Sequence, residues 1–228
     1  MLLKKWENLP LEFQTEEAKP YYDILQRKKL YLLVKRVLDI FFSLLLLLLL
    51  SPLFLIICFT IIIDSPGNPF FLQTRVTQYK RHFKIIKFRT MVKNAEQLGM
   101  QVTANCDPRV LKSGHFLREY RLDEIPQLIN ILKGDMSFVG TRPEVPRYVS
   151  QYTNEMMATL LLPAGVTSLA SIEFKDEQTM LDKSTDLEKT YIEDVLPQKM
   201  KFNLEYIHKL SFSEDLKIIL HTVKEVFM

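Results

Sequence analysis

A long apolar segment at residues 37–63 constrains this chain more than any other feature of its sequence. No residue from Ile40 to Ile63 carries a charge, and residues 44–50 are all leucine. About 20 consecutive apolar residues are enough for one helix to cross a bilayer. The segment therefore predicts attachment to a membrane, and a single transmembrane helix is the simplest arrangement.

A Ser51-Pro52 pair divides this segment near its middle. Proline removes a backbone hydrogen bond and clashes with the preceding helical turn, so we expect a bend there. The bend leaves arms at 37–50 and 53–63, which at 1.5 Å per residue are roughly 21 Å and 16 Å long, each shorter than a ~30 Å hydrocarbon core. Two short arms favour a re-entrant helix that enters and leaves on the same side, with a mild kink in a spanning helix as the alternative.

Basic residues flank the segment on both sides. They are Arg27, Lys28, Lys29, Lys35 and Arg36 before it, and Arg75, Lys80, Arg81, Lys84, Lys87 and Arg89 after it. Cytoplasmic flanks of membrane helices are enriched in lysine and arginine, so this pattern places both ends on the cytoplasmic side, against anionic membrane lipids. The net charge of +3 is too small to indicate nucleic acid, and we expect no nucleic-acid partner.

These features divide the chain into three parts. They predict an amphipathic interfacial segment at 1–34, a membrane helix at 35–64, and a small water-facing domain at 65–228. A secretory signal peptide is a poor fit, because a long polar stretch precedes the apolar run and no small-residue cleavage site follows it. The apolar segment is therefore expected to remain in the mature protein.

The water-facing domain combines strand and helix patterns. Alternating side chains at 70–76 and 82–88 predict two short strands joined by a turn. Helices are predicted at 91–101, at 123–133, at 185–209 with an interruption near Pro197, and after a capping box formed by Ser211 and Glu214. Residues 111–120 are either a short basic helix or a loop. The fold class is therefore α+β and mostly helical. The last helix carries an apolar stripe that we expect to pack onto the domain: Leu216, Ile219, Leu220, Val223 and Phe227.

Asp123 and Glu124 are adjacent acids at the start of the predicted helix 123–133, where Asp123 is a candidate N-cap. Acids are common in a first helical turn because they meet the positive end of the helix dipole. Several cations lie nearby in sequence, however: Lys87, Arg89, Arg118, Arg121 and Arg142. Carboxylates and arginines together suit a metal-bound polyphosphate, since Mg²⁺ prefers carboxylate and phosphate oxygens and arginine binds phosphate in bidentate fashion. A carboxylate can also attack phosphorus to form an acyl phosphate.

Short motifs that match those of one known protein family occur along the chain from Lys35 to the C-terminal region. They are Lys35-Arg36-Val37-Leu38-Asp39, Gly67-Asn68-Pro69-Phe70-Phe71, Gln73-Thr74-Arg75, Lys87-Phe88-Arg89-Thr90-Met91, Asp107-Pro108-Arg109, Gly114-His115-Phe116-Leu117-Arg118, Leu122-Asp123-Glu124-Ile125-Pro126-Gln127, Asn130, Lys133-Gly134-Asp135-Met136-Ser137 and Val139-Gly140-Thr141-Arg142-Pro143, and later Pro163, Gly165-Val166-Thr167, Leu196-Pro197 and Asp215-Leu216. With them the chain resembles the bacterial sugar transferases, the monotopic polyprenyl-phosphate phosphoglycosyltransferases.

This resemblance implies a reaction. Family members transfer a sugar-1-phosphate from a nucleotide diphosphate sugar, usually a UDP-sugar, to a polyprenyl phosphate such as undecaprenyl phosphate, and they release UMP. This is the first membrane step of a bacterial surface-glycan pathway. The resemblance further implies a re-entrant helix bent at Ser51-Pro52 and a catalytic domain on the cytoplasmic face of the bacterial cytoplasmic membrane.

The resemblance also implies roles for single residues. Asp123 corresponds to the family nucleophile, which holds the phosphosugar covalently, and Glu124 to the ligand of a Mg²⁺ cofactor. Arg118 and Arg142 match cations near the phosphates, and Lys87 and Arg89 belong to a motif expected at the same pocket. From helical spacing, Gln127 lies one turn from Asp123 and is expected to face the site.

Three positions depart from the family pattern. Thr141 stands where the family has proline, Ser168 where it has glycine, and Ser171 where it has glutamine. They leave the sugar and the glycan pathway open, and the sequence does not decide whether the chain self-associates or binds downstream glycosyltransferases. Two other functions also remain: a scaffold for glycan assembly that has lost catalysis, and a metal-dependent nucleotide-sugar hydrolase.

Overall fold

The computed structural model describes residues 3–93, 95, 107–174, 180–181, 184 and 186–227, without the side chains of 226 and 227. Its α-helices, in chain order, are α1 Lys19–Arg27, α2 Lys29–Leu49, α3 Ser51–Asp64, α4 Lys112–Glu119, α5 Gln127–Lys133, α6 Pro146–Val149, α7 Leu169–Glu173, α8 Leu187–Thr190, α9 Leu196–Lys209 and α10 Phe212–Phe227. Short 3₁₀ turns occur at Trp6–Asn8, Leu11–Phe13, Gln78–Lys80, Leu122–Glu124 and Met156–Leu161, and a π turn at Tyr191–Val195. The mixed and mostly helical fold class is confirmed. The helix predicted at 91–101 falls mainly outside the described residues.

The apolar segment forms two helices, α2 and α3, that meet at an angle of 62°. The bend lies where the sequence predicts it, since α2 ends at Leu49 and α3 begins at Ser51 with Pro52 in its first turn. The Ser51 hydroxyl donates to the carbonyl of Leu48 at 2.8 Å. Within the described residues no single helix is long and apolar enough to cross a membrane, whereas the bent pair meets that test by length and composition.

Helix α2 turns its polar side toward the protein and its apolar side outward. Lys35, Asp39 and Ser43, spaced four residues apart, are buried. The outward side exposes large apolar side chains, among them Val37, Phe41, Leu44 and Leu48. This is the reverse of a helix on a water-soluble protein, whose apolar side faces the core.

The bent pair packs closely on the domain. Leu46, Leu47 and Leu50 contact a cluster around Phe83 and Leu128. In α3, Ile57 and Ile61 are buried in a second cluster that contains Phe88, Leu111 and Leu117. Arg36 also donates to the carbonyls of Ile131 and Leu132 at 2.6 Å and 3.0 Å, which satisfies the C-terminal end of α5. The domain is therefore fixed to both arms of the bend.

The segment from residue 3 to residue 27 packs into the largest apolar cluster of the described residues. Phe13, Tyr22 and Leu25 are almost completely buried there, beside Leu161 and Ile207. Burying one such side chain contributes about 1.5–3 kcal/mol. The segment before α2 is therefore part of the domain's packing as well as a lead into the bent pair. Its predicted position at the membrane interface stays a prediction.

Two small sheets carry the functional loops. The predicted strands are confirmed as β1 Phe70–Val76 and β2 His82–Phe88, an antiparallel pair. The second sheet, which the sequence analysis did not predict, pairs β3 Met136–Val139 in parallel with β4 Ala164–Thr167. Gly140 and Gly165 let these strands approach, since a Cβ added at Gly165 would lie 2.2 Å from the Gly140 nitrogen.

Two sequence predictions about helices are wrong. The helix predicted at 123–133 begins only at Gln127, after a 3₁₀ turn at Leu122–Glu124, so Asp123 is not its N-cap. The backbone bonds here join residues three apart, from Glu124 N–H to the Arg121 carbonyl and from Ile125 N–H to the Leu122 carbonyl, both at 3.2 Å, and Pro126 has no N–H to donate to Leu122. The helix does end at Gly134, with φ of 84°, as predicted.

The apolar stripe of α10 packs only in part as expected. Ile219 is half-buried against the largest apolar cluster, but Leu216, Leu220 and Val223 are 56%, 60% and 50% exposed, whereas Ile218, outside the stripe, is buried. Asp215 is buried as well and pairs with Lys35 of α2, which sets the rotation of the helix. The Phe227 side chain lies outside the described part of the chain.

Candidate active site

The Asp123-Glu124 pair lies in the 3₁₀ turn between α4 and α5. The apolar residues on either side of the pair, Leu122 and Ile125, pack into the cluster that contains Phe54 and Ile57 of α3. The acids are therefore held directly on the bent helix pair. The left-handed backbone at Arg121 turns the chain between α4 and the acids.

Glu124 is clamped by two cations. Its Oε1 accepts from Lys87 Nζ at 2.8 Å and from Arg142 Nη2 at 2.5 Å, and Arg142 Nη1 lies 3.4 Å from Oε2. Burial alone would raise the pKa of Glu124, but the charges of Arg142 and Lys87 hold that pKa far below its ordinary value. The same ion pair raises the pKa of Arg142. Glu124 and Arg142 are therefore both charged at neutral pH.

Asp123 directly precedes Glu124 in sequence but has a different environment. It is only 8% exposed, and its nearest cation is Lys87, 3.8 Å from Oδ2. None of the described residues donates a hydrogen bond to its carboxylate. Burial raises the pKa of Asp123, and Glu124 adds to the shift, while Lys87, Arg118 and Arg142 oppose it. The result is a buried carboxylate with one cation at 3.8 Å and no hydrogen bond from the described residues.

Arg142 follows β3 and is positioned by the loop that leaves this strand. Its Nη1 donates to the carbonyl of Val166 in β4 at 3.1 Å. Two residues later, the buried Glu144 accepts from the Tyr191 hydroxyl at 2.6 Å and from Lys199 Nζ at 3.3 Å. Sequence reasoning missed Glu144, whose only signal was its position directly after the Val139–Pro143 motif. The α8–α9 region thus supports the loop that carries Arg142.

The remaining predicted site residues are only partly brought together. Arg118 donates to the Thr90 hydroxyl at 2.9 Å; burial lowers its pKa, which the charge of Asp123 opposes. Arg89 instead donates to the carbonyl of Ser65 at the end of α3. Gln127 is 1% exposed, and neither polar atom of its amide has a hydrogen-bond partner among the described residues. Lys87, Asp123, Glu124 and Arg142 therefore form the centre of the site.

Comparison with known proteins identifies the family of the chain. The family model described as "Bacterial sugar transferase" matches residues 30–228. The chain belongs to the bacterial sugar transferase family. The resemblance expected from the motifs is thereby confirmed.

Curated relatives of this family member are named for one type of reaction. It is 34% identical over 200 residues to a UDP-N-acetylgalactosamine-undecaprenyl-phosphate N-acetylgalactosaminephosphotransferase of Aeromonas hydrophila, covering 86% of this chain and 44% of the relative. It is 37% identical over 201 residues to a UDP-glucose:undecaprenyl-phosphate glucose-1-phosphate transferase of Escherichia coli strain K12, covering 86% and 40%. A protein of Caulobacter vibrioides with the same name is 34% identical over 192 residues, covering 83% and 68%. The chain thus spans less than half the length of the first two relatives.

The carboxylates of this sugar transferase fit a Mg²⁺ ion shared with a substrate. Mg²⁺ is commonly bound by one or two carboxylates together with substrate phosphates. Asp123 and Glu124 provide that number, and the oxygens of Asp123 accept no hydrogen bond from the described residues. The described residues contain no group of three or more His, Cys, Asp or Glu side chains arranged for a metal. The donor set therefore suits a shared ion better than an all-protein cage.

A cleft of about 880 Å³ opens beside Glu124 and Arg142. We call it the bend cleft, because Leu46, Leu50 and Leu53 at the α2–α3 bend line it. Its other lining residues include Arg121, Ile125, Leu128, Val166, Ser171, Lys199 and Val223. The cleft therefore joins the charged site to an apolar surface of the bent pair.

Proposed function

We propose that this chain transfers a sugar-1-phosphate from a UDP-sugar to a polyprenyl phosphate, such as undecaprenyl phosphate, and releases UMP. The names of its relatives support the donor and acceptor classes. One observation carries the proposal: of two adjacent acids, Glu124 is neutralised by two close cations, whereas the buried Asp123 accepts no hydrogen bond from the described residues and has Lys87 at 3.8 Å as its nearest cation. Such a pair suits a nucleophile next to a charge-organising partner.

In the first step, an Asp123 carboxylate oxygen attacks the phosphorus that bears the sugar. The bond from this phosphorus to the bridging oxygen breaks, and UMP leaves with the electron pair. In the second step, an oxygen of the polyprenyl phosphate attacks the same phosphorus and releases the Asp123 carboxylate. Neither step requires a proton when both nucleophiles are ionised. Asp123 is thus regenerated after each turnover.

The cations of the site have a role in both steps. Phosphoryl transfer depends mainly on positioning and on neutralising phosphate charge. Lys87 and Arg142 are already close to the two acids, and Arg118 stands on the Asp123 side. Glu124, with Asp123 beside it, would hold Mg²⁺, which when bound polarises the diphosphate and stabilises the leaving phosphate.

The bent pair would be a re-entrant anchor in the bacterial cytoplasmic membrane, with the domain on the cytoplasmic face. The outward apolar side of α2 and the basic residues on both flanks of the segment support this arrangement. The packing of Leu122 and Ile125 on α3 would then hold Asp123 near the depth of a lipid phosphate. Labelling that placed the two flanks on opposite faces would contradict the anchor but not the chemistry.

The proposal is tested with purified full-length protein in lipid nanodiscs. Wild type is incubated with a panel of UDP-sugars and Mg²⁺, with and without undecaprenyl phosphate, and UMP and intact protein mass are measured. We expect one donor to yield UMP stoichiometric with enzyme and a mass increase of one phosphosugar, followed by turnover when the lipid is added. Asp123→Asn is expected to give neither.

The other outcomes of this experiment identify the alternative functions. UMP release that continues without lipid would favour a hydrolase. Absence of UMP with every donor would favour a scaffold without catalysis. Wild-type activity in Asp123→Asn would remove Asp123 from the mechanism.

A further inference from the structure

The bend cleft has both an apolar surface and a charged surface. A nucleotide sugar would need only the charged one. One wall is formed by Leu46, Leu50 and Leu53 from the two arms of the bent pair. Val223 of α10 contributes a second apolar wall of the cleft. Ile125, which directly follows the two acids in sequence, also lines it. An apolar chain could therefore lie along the bend and end at the site.

The same cleft is lined by three cations, Arg121, Arg142 and Lys199, and by two acids, Glu124 and Glu225. Arg142 is paired with Glu124, and Lys199 is paired with the buried Glu144. Arg121 differs, because its side chain is exposed and makes no ion pair within the described part of the chain. It is also held in a left-handed backbone conformation with φ of 51°, which is uncommon for a residue with a side chain. The Arg121 guanidinium, with no ion-pair partner among the described residues, could therefore bind the phosphate of a ligand.

We infer that the bend cleft holds the prenyl end of the acceptor, with its first isoprene units against Leu46, Leu50 and Leu53 and its phosphate at Arg121. This inference rests on the proposed function for the identity of the acceptor. An apolar chain with one terminal anionic group matches the leucine wall and the arginine in one molecule. A UDP-sugar is polar along its whole length and would leave the leucines uncovered.

The cleft would select the acceptor by shape and charge. A prenyl chain is already in an apolar environment within the lipid, so moving it onto leucines gains little from the hydrophobic effect. Discrimination must therefore come from van der Waals fit in the cleft and from the phosphate contact. The variants accordingly fill the cleft or remove the cation, without making the leucine wall polar.

Two matched pairs of variants test the walls. Leu50→Trp fills the cleft from the bend, and Leu49→Trp places the same bulk on a neighbouring side chain that is 64% exposed and not part of the lining. Val223→Trp fills the cleft from α10, and Leu220→Trp, 60% exposed and outside the lining, is its control. Using both walls keeps the test valid if one variant fails to fold.

The closing experiment uses a photoreactive prenyl phosphate in nanodiscs that contain the full chain, with labelled peptides identified by mass spectrometry. We expect labelling at residues 46–53 and near Val223, competed by undecaprenyl phosphate better than by undecaprenol or phospholipid. Labelling should fall about tenfold in Leu50→Trp and Val223→Trp, the range expected for overfilling a packed site. It should be unchanged in the two controls.

A second measurement in the same experiment tests the contact between Arg121 and the acceptor phosphate. Arg121→Gln should bring the competition by undecaprenyl phosphate down to that by undecaprenol, whereas Arg121→Lys should largely preserve the difference. Labelling outside the cleft, equal loss in variants and controls, or equal competition by phospholipid would overturn the inference. None of these readouts requires turnover. Failure to form UMP and the Asp123 adduct would therefore count against the proposed function, and failure of labelling against the cleft.

Discussion

Two aspartates of this protein are equally buried and differ in almost everything else. Asp123 and Asp215 are each 8% exposed. Asp215 accepts hydrogen bonds from the hydroxyls of Tyr31 and Tyr206, both at 2.6 Å, and pairs with Lys35 of α2. Asp123 accepts none from the described residues, and its nearest cation is 3.8 Å away.

The difference separates a structural acid from a reactive one. A buried charge is tolerated when its partners satisfy it, and removing a partner then costs several kcal/mol. Asp215 fulfils this condition and joins α10 to α2. The Asp123 oxygens remain available to a substrate. Burying this charge without hydrogen-bond donors destabilises the protein, and the surrounding packing must offset that cost. Burial alone would not have distinguished the two residues; the count of donors around each carboxylate does.

The largest effect should come from exchanging each acid for its amide. Asp123→Asn removes the nucleophile, so turnover should fall by a factor of about 10³ or more with little loss of stability. Asp215→Asn leaves Lys35 buried without its charge partner and should destabilise the protein by about 3–5 kcal/mol. Thermal unfolding in nanodiscs and UMP release per folded molecule measure the two effects.

The distinction between a reactive Asp123 and a structural Asp215 would be contradicted if the two variants showed each other's effects on turnover and stability. A strongly destabilised Asp123→Asn, or an Asp215→Asn that is stable but inactive, would show that the number of donors does not distinguish their roles. Glu205→Gln is a control for amide exchange, because Glu205 forms an exposed ion pair with Lys209 on α9. Such pairs contribute little to stability, and neither readout should change.

A smaller effect is expected from Arg142→Gln, which removes one of the two cations on Glu124. The remaining partner, Lys87, cannot reproduce the two-nitrogen contact of the guanidinium. We expect the rate of UMP release to fall roughly 10²-fold, because charge on the diphosphate is then less well neutralised. Arg147→Gln, at an exposed position in α6, is the matched control. An equal loss in both variants would argue for a general effect of positive charge.

Sequence patterns predicted the parts of this fold that are set locally. The β1–β2 pair follows from alternating side chains, the end of α5 from Gly134, and the bend from Ser51-Pro52. Each of these depends on the residues that form it. The predicted strand bounds, 70–76 and 82–88, are those of the structure.

The missed features depend on distant contacts. The strands β3 and β4 have four residues each, too few for a readable period, and only their parallel pairing defines them. The rotation of α10 is set by Asp215 and a lysine 180 residues away, so most of the more obvious apolar stripe faces outward. At the site, the four central residues were all predicted, but the different environments of Asp123 and Glu124 required the positions of Lys87 and Arg142.

A still smaller effect concerns pH. Asp123 must be ionised to attack, and burial raises its pKa above the ordinary value near 3.8. The rate of adduct formation should therefore fall as pH drops through this raised pKa. Lys87 opposes the rise, so Lys87→Met should move the acidic limb of the rate profile to higher pH. Lys84→Met, on the same strand but exposed, should leave the limb in place. A limb that moved to lower pH in Lys87→Met would contradict the assignment of the limb to Asp123.

The smallest effect concerns the hydrogen-bond donors that stabilise Asp215, the structural acid. Tyr31→Phe removes one of the three donors to Asp215 and keeps the ring. Because Lys35 and Tyr206 still satisfy the carboxylate, the cost should be about 1–2 kcal/mol, below that of Asp215→Asn. UMP release per folded molecule should not change, since Tyr31 contacts α10 rather than the catalytic turn. The double variant Tyr31→Phe/Tyr206→Phe should lose more than the sum of the single losses, because Asp215 is then left with Lys35 as its only partner among these three donors. Strict additivity would mean that the donors act independently, and that saturation of the carboxylate is not what stabilises the contact between α2 and α10.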